Sequence, residues 1–371
     1  MIFEKIELYV LKVIKGQKKG LFPKILIGIL ALLSGFYRLV VDLRNVLYDQ
    51  GWFRKYHPPV PLVISVGNLV AGGTGKTPVT LLLAQEYYLE RTLAILSRGY
   101  RSKAQELSLP VVLCHGEGPI YPASYCGDEP YLMAQRLPKA LLIVGKDRKK
   151  AADIAAKAGV SVLLLDDGMQ HRSLARDYEI IVMDALDPFG LDRYLPRGFL
   201  REGKKGLSRG DLIVLNHVRD EAHFFEVKKK IEPYVKAPIV GVNTRVEGVF
   251  DLSGKPVTLE KGEKVALFCG IAHPEYFKET LLGLGCNVVA EKALGDHREC
   301  DKQALIEFTK LAKKKEAKRL LCTEKDKVKL PMNVQLDLPV DWIKMQLTWV
   351  AGFDLWRDFI TKTKRELSTR V

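Results

Sequence analysis

The chain has 371 residues, 47% of them hydrophobic and 27% charged, with 58 Lys and Arg against 44 Asp and Glu. At about 100–200 residues per domain, this length suits two domains, or one large domain with an appendage. The composition excludes a disordered chain, a collagen-like repeat and a polytopic membrane protein, and the net charge of +14 asks for nucleic acid, an acidic lipid surface or a phosphorylated substrate.

The charge is concentrated at the start. Residues 1–57 carry ten Lys and Arg but four acids, a balance of +6. Within them an uncharged run of 13 residues, 25–37, is flanked by Lys24, Arg38 and Arg44, with Tyr48 and Trp52 nearby. A spanning helix needs about 20 residues, so the run reads as a helix lying in the headgroup region. A buried helix packed on the next domain is the competing reading. No small-residue cleavage site follows, which argues against a signal peptide. The six cysteines show no C-x-x-C spacing and no zinc pattern, and read as buried thiols.

After Pro58-Pro59-Val60-Pro61, residues 62–66 form a short apolar run ahead of a glycine turn, the signature of a buried strand. Similar runs recur at 93–96, 140–144, 160–165, 179–183 and 211–215. Helical spacing occupies 78–90, 130–136 and 148–158. Strands alternating with helices predict an α/β fold with a doubly wound, mostly parallel sheet. From about residue 238 the pattern shifts. Residues 239–242 and 245–250 are expected to pair as a ribbon. Runs at 265–269, 287–291 and 319–323, with a helix at 304–315, predict a second, smaller α/β domain. The tail 349–367 reads as a basic helix packing back on the first domain. The divisions expected are an N-terminal segment 1–57, a core 58–236, a smaller domain 237–348 and a C-terminal helix 349–371.

The strongest motif follows the first strand: Gly72-Gly73-Thr74-Gly75-Lys76-Thr77. Glycines let the backbone turn its N–H groups toward phosphate oxygens, at the positive end of the next helix. Lys76 would reach the β- and γ-phosphates and Thr77 would bind Mg²⁺. The P-loop pattern also wants Gly at position 70, where this chain has Val70. Downstream, the strand at 162–165 runs into Asp166-Asp167-Gly168. A carboxylate there would hold Mg²⁺ opposite Lys76, and spacing alone does not choose between Asp166 and Asp167. No Asn-Lys-x-Asp guanine reader follows the late strand, which ends Leu215-Asn216-His217-Val218, so ATP is the expected nucleotide.

Further stretches complete an ordered set: Ser65-Val66-Gly67-Asn68-Leu69, Ser97-Arg98-Gly99-Tyr100, Gly127-Asp128-Glu129-Pro130, Asp166-Asp167-Gly168-Met169-Gln170-His171, and Pro196 through Glu202. Gly270-Ile271-Ala272-His273-Pro274, Asp296-His297 and Thr323-Glu324-Lys325-Asp326 follow. With these motifs the chain resembles the tetraacyldisaccharide 4′-kinases, the lipid A 4′-kinases of Gram-negative envelopes. The resemblance covers nearly the whole chain. Met169 is a small departure, because the family often has an aromatic residue there.

The resemblance implies a P-loop core domain, a smaller α/β domain joined by a β-ribbon, and a membrane-facing N-terminal helix. It implies transfer of the ATP γ-phosphoryl group to the 4′-hydroxyl of an acylated glucosamine disaccharide 1-phosphate, with ATP and Mg²⁺ as cofactors. Asp128 and His297 match the family's acid–base pair, Asp128 taking the sugar proton and His297 supporting it, with Asp296 behind. Read without the family, Asp128 would cap the next helix and His297 would be a surface histidine. Asn68, Arg98, Arg101, Arg197 and Arg201 fall in family motifs and are candidates for binding the lipid's phosphate. Gln170 and His171 are expected to line the metal or nucleotide site. Lys325 and Asp326 would either face the nucleotide or open the next helix. The implied location is peripheral, on the cytoplasmic face of the inner membrane, with no obligate protein partner. A membrane-surface P-loop ATPase switch is the alternative reading. Nucleic-acid binding ranks last, for want of a reader module.

Overall fold

Apolar runs bounded by glycine and charge become strands buried on both faces. A computed structural model describes residues 2–271, 274–293, 302–330 and 335–370. Two N-terminal helices, α1 (Ile2–Ile14) and α2 (Leu21–Asp49), lead into β1 (Leu62–Gly67), α3 (Lys76–Tyr88), β2 (Leu93–Ser97) and α4 (Lys103–Glu106). Next come β3 (Val111–His115), α5 (Ala123–Cys126), α6 (Asp128–Arg136), β4 (Leu141–Val144), α7 (Arg148–Lys157) and β5 (Val162–Asp166). Then β6 (Tyr178–Asp184), β7 (Leu212–Asn216) and α8 (Glu221–Ile231) complete the larger set. The second set comprises β8 (Ile239–Asp251), β9 (Lys264–Cys269), α9 (Pro274–Gly283), β10 (Asn287–Ala293), α10 (Lys302–Lys314) and β11 (Arg319–Thr323). It ends with α11 (Glu324–Lys327), β12 (Val340–Ala351) and α12 (Phe353–Arg370).

Among the described residues twelve strands lie in one sheet, in the order β10-β9-β11-β12-β8-β7-β6-β1-β5-β2-β4-β3. Of the pairings between these strands, only β8/β12 and β3/β4 are antiparallel. Alternation sorts the core onto two faces. Leu62, Ile64 and Val66 of β1 pack with Val79 and Leu83 of α3 and with Met133 of α6, while Val63 joins Ala151 and Ala155 of α7 on the other face. The second set repeats the arrangement, with Leu305 and Phe308 of α10 on one face and Phe277 and Leu281 of α9 on the other. Helices on both faces leave the carboxyl ends of the parallel strands open, which is where such folds build sites.

Five elements differ from the sequence expectation. The expected ribbon of two strands at 239–242 and 245–250 is a single 13-residue strand, β8. Asn243 makes no turn: its side-chain oxygen accepts from the Thr244 N–H and the ladder runs on against β12. The unanticipated β12 supplies the ribbon's second strand, so the tail helix begins at Phe353, after Gly352 at φ +74°, and not at Trp349. The edge strand β3 was also not anticipated, since Val111–His115 is short and only Leu113 and Cys114 in it are buried. Finally, α2 runs 29 residues through the charges that bound the uncharged run, and is long and apolar enough to cross a membrane by length and composition.

The tail does pack back on the larger set. Trp356 is fully buried and donates Nε1–H to Glu86 of α3 (3.0 Å), and the Tyr87 hydroxyl meets that of Thr363 (2.6 Å). Among the described residues the cysteines are buried free thiols, and burial pushes Cys126 and Cys269 up to about 12.

Candidate active site

The glycine loop leaves β1 and closes on the first turn of α3. Its first half is extended and pinned to the turn at residues 193–201. Val70 bridges Leu200, Ala71 N–H donates to Phe199 O (2.7 Å) and Arg201 N–H donates to Leu69 O (2.7 Å). That pairing explains Val70 where a P-loop usually has glycine: the side chain is buried against its partner strand, and the turn falls later. Thr74 is held from two sides. Asn68 Nδ2 donates to its hydroxyl (3.0 Å), and Asn216 Nδ2, at the end of β7, donates to its carbonyl (3.2 Å).

Gly75 caps α3 in the left-handed region (φ +85°), and a Cβ there would lie 2.0 Å from Asn216 Nδ2. Both features demand glycine. Gly75→Ala is expected to lower stability by about 1–2 kcal/mol from the backbone alone. Thermal unfolding checks it, and an unchanged midpoint would mean that the loop relaxes freely.

Residue Asp166 ends β5 opposite Val66 of β1, and the chain then turns left-handed at Asp167 (φ +53°). That turn sends the two carboxylates to different surroundings. Asp166 is buried, accepts from Ser97 Oγ (3.0 Å) and lies 3.5 Å from the Thr80 hydroxyl on α3. Burial, with the Glu129 and Asp167 charges, pushes it up to about 6, against Arg148 and Lys76. Asp167 meets Lys76 Nζ (3.5 Å) and both of its oxygens accept from Arg201 Nη1 (2.9 Å each). Burial pushes Asp167 up too, but Lys76, Arg201 and Arg148 outweigh it and hold the carboxyl at about 2. The cations beside Asp167 thus favour its charged form, while burial disfavours that of Asp166.

The neighbouring motif residues form a hydrogen-bonded wall. Gln170 Nε2 donates to Asn68 O and to Glu202 Oε1 (2.8 Å each), and Gln170 Oε1 accepts from Arg201 (3.3 Å). Glu202 is fully buried and also takes Arg209 (2.5 Å) and Asn45 of α2 (3.3 Å). Tyr37 of α2 donates to Arg201 O (3.0 Å), and Arg172 grips Asn45 O and Asp49. Helix α2 is thus bolted by its polar face to the loop that carries Arg201. His171 is held down to about 4 by burial and by Arg148, Arg176 and Arg98, so it is neutral near pH 7.

The arginine candidates separate. Arg201 joins the cluster, and exposed Arg98 lies close enough for its charge to act on His171 and Arg148. Exposed Arg101 stacks on Tyr100 (5.4 Å to the ring centroid), and Arg197 is half-buried in the 193–201 turn. Neither pairs with Asp167 among the described contacts. Thr77 lies on the first turn of α3, one turn before Thr80. Gly72 and Gly73 are exposed at the loop tip, Gly72 with φ +123°.

Asp128 is the first residue of α6, behind Gly127 at φ +96°. It does not cap the helix by its side chain; it faces the second set, where Lys329 Nζ lies 3.2 Å from its Oδ2. Lys325 reaches Glu129 (3.3 Å), and Glu324 pairs with Arg136. Of the two readings for Lys325-Asp326, the second holds in part: Thr323 caps α11 by accepting from Asp326 N–H, and Lys325 faces α6. His297 and Asp296 lie outside the described residues.

Sequence reasoning did not single out Asn216, Arg148, Glu202 or Lys329. Asn216 is the last residue of β7 and Arg148 opens α7 after the loop that follows β4, positions at the carboxyl ends of strands that could have flagged them. Buried Arg148 donates Nη2–H to Asp166 O (2.8 Å). Glu202 closes the motif that runs from Pro196, a signal that was there without a role attached, whereas Lys329 lies outside every motif and matters through long-range packing.

Comparison with known proteins gives the family. The family model for tetraacyldisaccharide-1-P 4′-kinase (LpxK) matches residues 26–363. A tetraacyldisaccharide 4′-kinase from Halothermothrix orenii is 34% identical over 342 residues, covering 88% of each chain. One from Desulfotalea psychrophila is 38% identical over 339 residues, covering 89% of this chain and 94% of its own. The fold is similar to the crystal structure of an "apo" form LpxK from Aquifex aeolicus in complex with ATP, with a TM-score of 0.71, 27% identity, and coverage of 92% of this chain and 99% of that one. Motifs in order, a glycine loop facing paired aspartates, and a match over most of the length lead to one conclusion: the chain belongs to the tetraacyldisaccharide-1-P 4′-kinase family.

Proposed function

We propose that the protein transfers the γ-phosphoryl group of ATP to the 4′-hydroxyl of a tetraacyl glucosamine disaccharide 1-phosphate, a step of lipid A biosynthesis. The observation that carries this reading is the convergence of Lys76, Asp166, Asp167 and Arg201 on one end of the sheet, with Asp128 at the N-terminus of the neighbouring α6. The proposed core, 58–236, is P-loop NTPase-like, and 237–348 forms a second domain on the same sheet. Transfer of the label of γ-³²P-ATP to the lipid, in detergent with Mg²⁺, tests it; no labelled lipid from active, folded protein overturns it. The ATPase-switch reading is disfavoured because the family match spans residues 26–363, well beyond the nucleotide loop.

In this reading the loop 72–77 holds the phosphates by backbone N–H groups, and Lys76 neutralises charge between the β- and γ-phosphates. Asp128 accepts the 4′-hydroxyl proton as the sugar oxygen bonds to the γ-phosphorus, the bond to the β-phosphate oxygen breaks, and ADP leaves. Asp166, Asp167 and Thr77 would hold Mg²⁺. The donors are all oxygen, and among the described residues no group of three or more His, Cys, Asp or Glu forms a cage. That suits Mg²⁺, which is held by one or two carboxylates together with the substrate phosphates. The ion supplies charge neutralisation on the transferring group. His297 and Asp296 would support Asp128 from the second domain. Arg98, Arg101, Arg197 and Asn68 would line the approach of the lipid.

A peripheral site on the cytoplasmic face of the inner membrane is part of the proposal. Along α2 the residues Ile25, Ile29, Leu32, Leu33 and Phe36 are at least half exposed, while Ser34, Tyr37 and Asn45 bind the protein body. Replacing Leu32, Leu33 and Phe36 by serine is expected to cut recovery with membranes several-fold while leaving turnover in detergent within about twofold. Fractionation checks this, and unchanged recovery would assign that face to protein contact.

A further inference from the structure

We propose that Lys329 is the positioning residue for Asp128: a cation anchored in the second set that fixes the carboxylate at the start of α6. The inference rests on reading Asp128 as the base. Lys329 follows α11 on a tight turn, its N–H bonded to Asp326 O (3.0 Å). Its side chain is 4% exposed, a rare place for a lysine. A buried ammonium persists only when paired and hydrogen-bonded.

Here the ammonium has three oxygen neighbours: it donates to Gly270 O (3.3 Å) and is ion-paired with Asp326 (Oδ1 at 3.6 Å) and Asp128 (Oδ2 at 3.2 Å). Two of these belong to the second set and are themselves fixed. Asp326 is fully buried, accepts Gly270 N–H (2.8 Å) and the Thr323 hydroxyl (2.5 Å), and so locks the lysine's root. The third neighbour belongs to the other set and is the carboxylate assigned to the sugar proton.

Other pairs join α6 to α11, Lys325 with Glu129 and Arg136 with Glu324, but they touch neighbours of the base and not the base. Lys329 is ion-paired with Asp128 itself. It therefore ties the orientation of the base to the seating of the second set. No proton passes through it: the hydroxyl proton goes to Asp128, and Lys329 stays charged throughout. Orientation of this kind carries large kinetic weight, since a misplacement of about 1 Å can slow a reaction about 100-fold.

A double-mutant cycle on the full chain in detergent, with ATP, Mg²⁺ and the tetraacyl disaccharide 1-phosphate, tests the proposal. Lys329→Met is expected to lower kcat about 10- to 100-fold, with KM for ATP within about twofold and a measurable thermal midpoint. Lys329→Arg should restore part of the loss. In an Asp128→Asn background, adding Lys329→Met should change kcat less than about threefold, because the lysine acts through a carboxylate already removed. Wild-type kcat in Lys329→Met, or the same loss in both backgrounds, overturns the proposal. If the methionine variant does not fold, Lys329→Gln keeps a donor without the charge and carries the same expectation. The two readings fail separately: rapid turnover by Asp128→Asn removes the base assignment, whereas slow Asp128→Asn beside fast Lys329→Met removes only the role of Lys329.

Discussion

Replacing Lys76 by alanine is expected to lower kcat about 100- to 1000-fold and to raise KM for ATP. Lys76 is the first residue of α3, with its side chain 13% exposed and its amine 3.5 Å from Asp167. A cation so placed meets phosphate charge where water screens little, and removal of one preorganised electrostatic contact typically slows a reaction by about that factor. The loss would not come from the partner carboxylate. Asp167 keeps Arg201 at 2.9 Å and the nearby Arg148, so it remains ionised without the lysine. Both parameters move because Lys76 would contact phosphates in the bound state and again as charge develops during transfer. Steady-state kinetics over a range of ATP concentrations checks this, and kcat within about threefold of wild type would sink the assignment. Lys76→Arg keeps the charge but not the compact ammonium, and should fall between the two.

The same residues show how far sequence carries. Buried parallel strands were readable because Val, Ile and Leu runs have few other uses, and β1 and β5 lie where their runs begin and end to within a residue or two. The order of motifs was readable because loops at the carboxyl ends of those strands must carry polar residues with little freedom of type. The ribbon was not. Nothing local distinguishes two short strands from one long one, and only pairing with β12, about 100 residues later, carries β8 through Asn243 and Thr244. Helix α2 was underestimated differently. The helical pattern continues through Arg38, Asp42 and Arg44, with Arg38 and Asp42 an i,i+4 pair (3.3 Å), but only the 13 uncharged residues were set against the thickness of a membrane. At the site, Asp166 and Asp167 could not be told apart by spacing, because the distinction lies in one left-handed φ that divides buried from cation-bound.

Asp128→Asn is expected to lower kcat about 100- to 10,000-fold, the range that a positioned general base contributes, while ATP affinity stays within about twofold. Asparagine keeps the shape and one acceptor oxygen but cannot take a proton. The nucleotide contacts proposed for the glycine loop, Lys76 and the aspartate pair do not pass through Asp128, so ATP titration should not change. Stability should change. The substitution removes a negative charge from the N-terminal turn of α6, where the helix dipole favours it. It also leaves the buried Lys329 with Asp326 as its remaining carboxylate partner. A buried charge that loses a partner costs about 1–3 kcal/mol or more. The thermal midpoint should therefore fall while the protein remains folded and saturable with ATP at assay temperature. Those three readings together separate a base from a purely structural ion-pair partner of Lys329: loss of such a partner lowers the midpoint alone, whereas loss of the base lowers the midpoint and turnover. Near-normal turnover with a lowered midpoint would return Asp128 to a structural role and move the search for the base to the other carboxylates at the carboxyl ends of the strands.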